Sequence, residues 1–182
     1  MSTAAKLAAK IAPELYHIRE NGRIPNNDRL PLLLYRSALS VSGDDPAAAC
    51  LALFSRNNWR GGWRNGIYAY HHYHTTAHEV LGIVFGEARV CFGGEGGQSV
   101  TVRAGDVVVI PAGVAHKSER ASEDLLVVGA YPDGRKPDIC DGTGEDRAHE
   151  LERIRRVSRP TLDPLYGLNG PLAEHWGTSQ RN

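Results

Sequence analysis

From Arg64 onward the chain is a series of short runs rich in Val, Ile, Tyr and Phe, punctuated by clusters of glycine. That texture belongs to an antiparallel all-β barrel or sandwich, because β-branched and aromatic side chains suit a pleated, half-buried surface and glycine supplies the turns. The runs predict strands at 66–74, 79–85, 88–92, 99–103, 107–110, 115–120 and 125–131. Gly93-Gly94-Glu95-Gly96-Gly97 forms a flexible hairpin tip, and Ala104-Gly105-Asp106 a tighter turn.

The flanks read differently. Ile24-Pro25-Asn26-Asn27-Asp28 has loop chemistry, and residues 30–36 predict an edge strand, since Pro31 cannot donate to a ladder. Asp44-Asp45-Pro46 places capping carboxylates before a proline suited to the first helical position, and Asn57 and Asn58 can end the helix so predicted over 46–57. After Tyr131 the composition shifts to Pro, Asp, Gly and charge, with a short helix expected at 145–155 and irregular chain through Pro160, Pro164 and Pro171. Residues 1–11 lack the continuous apolar stretch of a secretory signal and predict a short helical or frayed terminus. The organisation expected is a single domain: a peripheral N-terminal segment (1–60, edge strand plus helix), a barrel core (61–135) and a C-terminal extension (136–182).

Composition narrows the function. At 182 residues the chain can bury an ordinary core. Lys plus Arg and Asp plus Glu number 21 each, so the basic footprint of a nucleic-acid binder is missing. No apolar run approaches the roughly 18 to 20 residues of a membrane span, and no membrane partner is expected. Three cysteines, Cys50, Cys91 and Cys140, are odd in number and free of Cys-x-x-Cys spacing, which fits a reducing cytoplasm.

Five of the eight histidines, His71, His72, His74, His78 and His116, fall in the β centre. Imidazole is the commonest metal ligand, and adjacent Glu79 offers the carboxylate of a mixed nitrogen and oxygen site. On a strand His72 and His74 face the same way with Cα atoms about 6.6 Å apart, while His71 points away. The competing pair, His74 and His78, would be neighbours on a helix but about 13 Å apart on a straight strand. The same parity puts Arg64, Tyr68 and Tyr70 beside His72, and sets Leu81, Ile83 and Phe85 with Glu79 as an apolar wall. A solvated, tyrosine-rich surface strand is the plainer explanation of the cluster.

Two spacings tip the balance. Gly66, His72, His74, Glu79 and Gly86 form one set; Gly105, Pro111, Gly113 and His116 form another, and eighteen residues separate Gly86 from Gly105. Together they resemble the two motifs of the cupin superfamily. The segments Gly22-Arg-Ile-Pro-Asn-Asn, Trp63-Arg-Asn-Gly-Ile-Tyr, His72-Tyr-His-Thr-Thr-Ala-His-Glu-Val-Leu-Gly, Val128-Gly-Ala-Tyr-Pro and Asp163-Pro-Leu-Tyr-Gly are similar to the YjlB-like bacterial group within it. The resemblance implies an all-β jelly-roll barrel, the double-stranded β-helix, holding one divalent transition metal ion (Fe, Mn, Ni, Zn or Co) on His72, His74, Glu79 and His116. His78 stands where a looser form of the first motif would put the glutamate and is the alternative to Glu79. Arg120 replaces the asparagine that commonly ends the second motif, which implies a cation at the pocket rim and an anionic ligand. The function implied is a metal-dependent enzyme acting on a small polar molecule, an oxygenase or an isomerase or lyase working through an enolate. A non-enzymatic metal or small-molecule binding module is the alternative. No catalytic residue outside the ligand set can be named from the sequence. Relatives are often dimers, and a homodimer is expected.

Overall fold

The central strands of the main sheet are buried on both faces, and that accounts for most of the fold. In this computed structural model residues 9–144 and 146–177 are described. Nine strands, β1 (Glu14–Tyr16), β2 (Leu32–Tyr35), β3 (Trp59–Asn65), β4 (Glu79–Phe85), β5 (Glu87–Phe92), β6 (Gln98–Arg103), β7 (Val107–Ile110), β8 (His116–Ala121) and β9 (Leu126–Pro132), make two antiparallel sheets. The larger runs β1-β2-β7-β4-β9-β3 and the smaller β6-β5-β8.

Alternation along β4 shows how the layers form. Leu81 and Ile83 join Val90, Phe92 and Val102 of the small sheet in one core, whereas Val80 and Val84 join Cys50, Leu53 and Phe54 of helix α1 (Pro46–Arg56) in another. Gly82 lies between them, where a Cβ would stand 2.8 Å from Cys50 Sγ. At that position any side chain would push the helix off the sheet.

Helix α1 begins where capping chemistry placed it, with Asp45 Oδ1 accepting from Ala48 N at 2.9 Å. Helix α2 (Arg147–Arg156) starts likewise at Asp146, which accepts from His149 N at 3.0 Å. Residue 145 of the expected 145–155 helix, and residues 1–8 of the expected terminal segment, lie outside the described residues. Helix α3 (Pro171–His175) follows, and buried Asp163 ties this region to the sheet by accepting from Tyr35 Oη at 2.6 Å and Leu172 N at 3.1 Å. No helix among the described residues is long and apolar enough to cross a membrane.

Two expectations are corrected. Residues 66–74 are not a strand: the ladder is β3, seven residues earlier in its start, and the chain leaves the sheet at Gly66. β3 pairs with β9 alone and carries a register shift between Arg60 and Trp63, so its mostly exposed Trp-Arg-Gly-Gly-Trp-Arg-Asn run shows no alternation to read. The other correction concerns 30–36. β2 lies between β1 and β7, not at the edge; Pro31 precedes its first residue, so no ladder donor is lost.

Candidate metal centre

After leaving the sheet, the chain meets later segments at single points: Tyr68 O accepts from Ser118 N at 2.8 Å, and two isolated bridges form, His72 with His116 and Tyr73 with Cys140. The first is made by His72 N to His116 O at 3.3 Å and His116 N to His72 O at 2.9 Å, and it brings the two imidazole centroids to 4.1 Å. His74 is held from another side, its carbonyl accepting from Gly113 N at 2.8 Å. Gly113 has φ +89°, and a Cβ there would stand 2.4 Å from Asn26 O, so glycine is required in this turn. Glu79 and His116 are the first residues of β4 and β8, so the larger and the smaller sheet each contribute one ligand-type side chain.

One ring nitrogen from each of His72, His74 and His116 lies within 4.8 Å of the other two. Glu79 Oε2 stands 3.3 Å from Nε2 of His74 and 3.3 Å from Nε2 of His116. Each imidazole turns Nδ1 to a backbone carbonyl: His72 to Tyr70 at 3.4 Å, His116 to Val114 at 3.3 Å, and His74 to Asp138. With a proton on each Nδ1, the three Nε2 lone pairs are left for a common centre, as outer-shell contacts arrange in metal sites. His74 Nε2 and Glu79 Oε2 are buried with no hydrogen-bond partner among the described residues, although they are within ion-pair distance. Such orphaned buried atoms are costly unless something completes their coordination. A donor set of three imidazoles and one carboxylate fits a divalent transition metal.

Electrostatics sharpen this. Burial, then the neighbouring His116 and His74 rings, depress His72 to about 3, so it is neutral near pH 7. Burial also opposes charge on His74, but the Glu79 carboxylate outweighs it and the pKa is raised. For Glu79 burial favours the neutral acid, yet His116 and His74 hold the carboxyl well below the usual range.

Beside the cluster lies a cavity of about 250 Å³, lined by Trp63, Arg64, Tyr68, Leu81, Tyr131 and Ile139 among others. A cavity of about 340 Å³ between residues 19–30 and α2 contains none of these histidines. Arg64 and Tyr68 reach the first cavity, and Arg64 Nη2 pairs with Asp45 at 2.9 Å. Three expected pocket residues do not line it. Tyr70 is half exposed and stacks on Tyr68 at 4.9 Å, because the parity that placed it inward belonged to a strand that does not exist. Phe85 lies beyond a register shift in β4 and is 43% exposed. Arg120 is exposed on β8 opposite Arg89, so it supplies no cation to the rim. His78 faces away from its neighbour Glu79: Nδ1 accepts from Ala112 N at 2.9 Å and the ring rests on Trp176 at 4.7 Å.

Sequence reasoning missed Trp63, Tyr131 and Asp138. Trp63 Nε1 donates to Tyr131 Oη at 2.9 Å, and burial, then the charge of Glu79, push the Tyr131 pKa up. The register pairing Leu81 with Gly129 carried a signal for Tyr131, since 127, 129 and 131 alternate onto one face of β9.

A family model described as the Cupin domain matches residues 64–128. The uncharacterized protein YjlB of Bacillus subtilis (strain 168) is 38% identical over 163 residues, covering 90% of this chain and 96% of that protein. The chain belongs to the YjlB-like cupins. Its two antiparallel sheets are the all-β cupin fold. Among solved structures, acireductone dioxygenase from Bacillus anthracis with cadmium ion in active center is 20% identical, with a TM-score of 0.41, over 72% of this cupin and 99% of that chain. The 11S allergen from Cocos nucifera is 20% identical with a TM-score of 0.37, over 53% of this cupin, which spans 32% of the allergen chain.

Proposed function

We propose that this cupin holds one divalent transition metal ion on His72, His74, Glu79 and His116, and acts on a small polar molecule in the adjoining cavity as an oxygenase or as an isomerase or lyase. The observation that carries the reading is the convergence of three imidazole rings and an unpartnered buried carboxylate oxygen beside a cavity. Fe, Mn, Ni, Zn and Co all suit such a set. A bound ion would supply Lewis-acid polarisation of a ligand oxygen or, as iron(II), activation of dioxygen.

The chain's own residues do the rest. Trp63 Nε1 donates to Tyr131 Oη, so the hydroxyl proton is directed away from the indole, toward the Glu79 carboxylate and the cavity. Trp63, Leu81 and Ile139 give apolar walls that limit water. Arg64 is the cation at the cavity, and Asp45 offsets its charge, so the ligand need not be an anion. The second reading, a non-enzymatic metal or small-molecule binding module, is favoured by a shortage of acid–base groups: outside the cluster the titratable side chains lining the cavity among the described residues are Arg64, Tyr68 and Tyr131.

Metal analysis of protein purified without added ions, followed by anaerobic iron(II) loading and oxygen-uptake measurements with a panel of small carbonyl compounds and acids, tests both. Substrate-dependent uptake supports the oxygenase. Metal binding with no turnover leaves the binding module, and His74→Ala that loses metal while keeping every turnover ends the enzyme reading. We read the protein further as a cytoplasmic homodimer, supported by its free thiols and by the exposed edge strand β1. Light scattering that gives the monomer mass at micromolar concentration would contradict the dimer.

A further inference from the structure

The carboxylate of Asp138 sits in the loop after β9, outside the two motifs, yet it accepts more hydrogen bonds than any ligand-type side chain in the cluster. Oδ1 accepts from Thr75 N at 2.7 Å, Thr76 N at 3.2 Å and Thr76 Oγ1 at 3.0 Å, and Oδ2 accepts from Thr75 Oγ1 at 2.5 Å. Asp138 N donates back to Thr76 Oγ1 at 3.1 Å. Its carbonyl oxygen is the group that receives His74 Nδ1. Thr75 and Thr76 directly follow His74, so one residue grips the histidine's ring and the two residues after it.

The grip is braced on both sides. Tyr73 and Cys140 exchange N to O bonds of 2.9 Å in each direction. From α2, Arg153 Nε donates to Thr75 Oγ1 at 2.8 Å with Nη2 3.9 Å from Asp138 Oδ2, and Glu150 Oε2 accepts from Tyr73 Oη at 2.8 Å. Pro137 and Ile139, on either side of Asp138, line the cavity. Residues 72–76 have no ladder of their own; besides two single bridges and the Gly113 N to His74 O bond, this strap fixes them.

We infer that Asp138 is a positioning residue of the metal centre: by holding residues 74–76 it sets the His74 ring with Nε2 toward His116 and Glu79, and it suspends Pro137 and Ile139 as one wall of the ligand cavity. The inference rests on the metal-site reading above. A carboxylate suits the place because five donors, Cys140 Sγ at 3.6 Å among them, converge on its two oxygens, and charge-assisted hydrogen bonds are the strong ones. The histidine's proton stays on Nδ1 as long as the Asp138 carbonyl remains in reach.

The test is cobalt(II) binding to the full chain, by competition titration and by the visible absorption of the bound ion, with thermal melts to show that each variant is folded. Asp138→Ala is expected to weaken cobalt(II) binding by about 10- to 100-fold and to change the visible bands, the usual range for loss of an outer-shell partner. Asp138→Asn keeps Oδ1 for three of the donors and can donate to Thr75 Oγ1, so it is expected to restore binding to within about threefold. Thr75→Val, matched in shape, removes the hydroxyl contacts to Oδ2 and Arg153 and is expected to weaken binding in the same direction. Folded Asp138→Ala or Thr75→Val with the parent's affinity and spectrum overturns the positioning role. His74→Ala that still binds cobalt(II) like the parent overturns instead the metal-site reading on which the role depends.

Discussion

Oε2 of Glu79 lies 3.3 Å from Nε2 of His116, and the two residues open strands of different sheets. An ion held between them would therefore fasten one sheet to the other, so metal binding and fold stability are linked. At free metal about 100 times Kd the parent is expected to gain about 2.7 kcal/mol of unfolding free energy. Glu79→Gln keeps the shape and removes the charge. With an affinity loss of about 100-fold the same metal concentration adds only about 0.4 kcal/mol. Urea titrations with and without cobalt(II) check this, and an equal gain in both proteins would remove Glu79 from the ligand set.

Acid should weaken the metal-free protein. Burial holds both His72 and His78 at about 3; nearby His116 and His74 add to the effect on His72, and Arg135 and Arg159 to that on His78. Unfolded imidazoles titrate near about 6.5, so between about 6.5 and 3 the unfolded chain binds more protons than the native one. Stability then rises with pH in that window and falls on acidification, by up to about 1.4 kcal/mol per pH unit for each ring. The raised His74 acts elsewhere: its contribution is full below about 6.5 and is lost as pH climbs through its folded value. The depressed Glu79 adds to the acid loss only below about 4.3. Denaturant melts at several pH values between 6.5 and 4.5 should show the slope, and His78→Asn, which keeps an acceptor for Ala112 N, should reduce it by about half. An unchanged slope in that variant would refute the assignment to His78.

What the sequence disclosed and what it hid follow from the range of the forces involved. Strands such as Glu79–Phe85 and Val107–Ile110 were legible to the residue, because their apolar runs report burial directly. Helix α1 was legible because its Asp45 cap and Pro46 act within one turn. β3 was not: its single ladder partner and its register shift leave no periodicity to detect. Tyr70 was misplaced by the same error, since inward and outward sides exchange whenever a presumed strand is irregular. The three histidines and Glu79 were found through motif spacing, whereas Asp138 lies more than sixty residues from Thr75 and gives no local sign of where its carboxylate will land. Arg120 misled for a related reason, as a position near a motif histidine says nothing about which way β8 carries it.

Tyr131 offers the cavity a hydroxyl whose oxygen already accepts from Trp63. Tyr131→Phe should weaken cobalt(II) binding by no more than about 10-fold, the lower end for an outer-shell partner, because that oxygen is not a ligand atom although its hydroxyl interacts with Glu79. Removing the partner of the half-buried indole N–H should lower stability by about 0.5 to 1.5 kcal/mol. If a substrate emerges from the oxygen-uptake panel, turnover should fall by about 10²-fold or more, the range of a positioned proton donor. A variant with the parent's turnover would reduce Tyr131 to a packing residue.

Trp63 keeps its place in the cavity wall only because the facing residue in β9 has no side chain. A Cβ on Gly129 would stand 2.2 Å from Trp63 Cε2 and Cζ2 and 2.6 Å from Nε1, well inside contact, while Gly129 itself pairs with Leu81 and Trp63 across two ladders. In Gly129→Ala the indole must swing away, because the backbone is held by both neighbouring strands. The overpacking should cost about 1 to 3 kcal/mol, and the move should also break the bond to Tyr131 and reshape the cavity. Gly66→Ala is the control, since nothing lies within 4 Å of the added carbon and the change should stay within about 0.5 kcal/mol. Denaturant unfolding followed by tryptophan fluorescence reads both effects at once. A Gly129→Ala protein with unaltered emission and stability would mean that Trp63 is not packed on β9 as described, and the wall it gives the cavity would have to be redrawn.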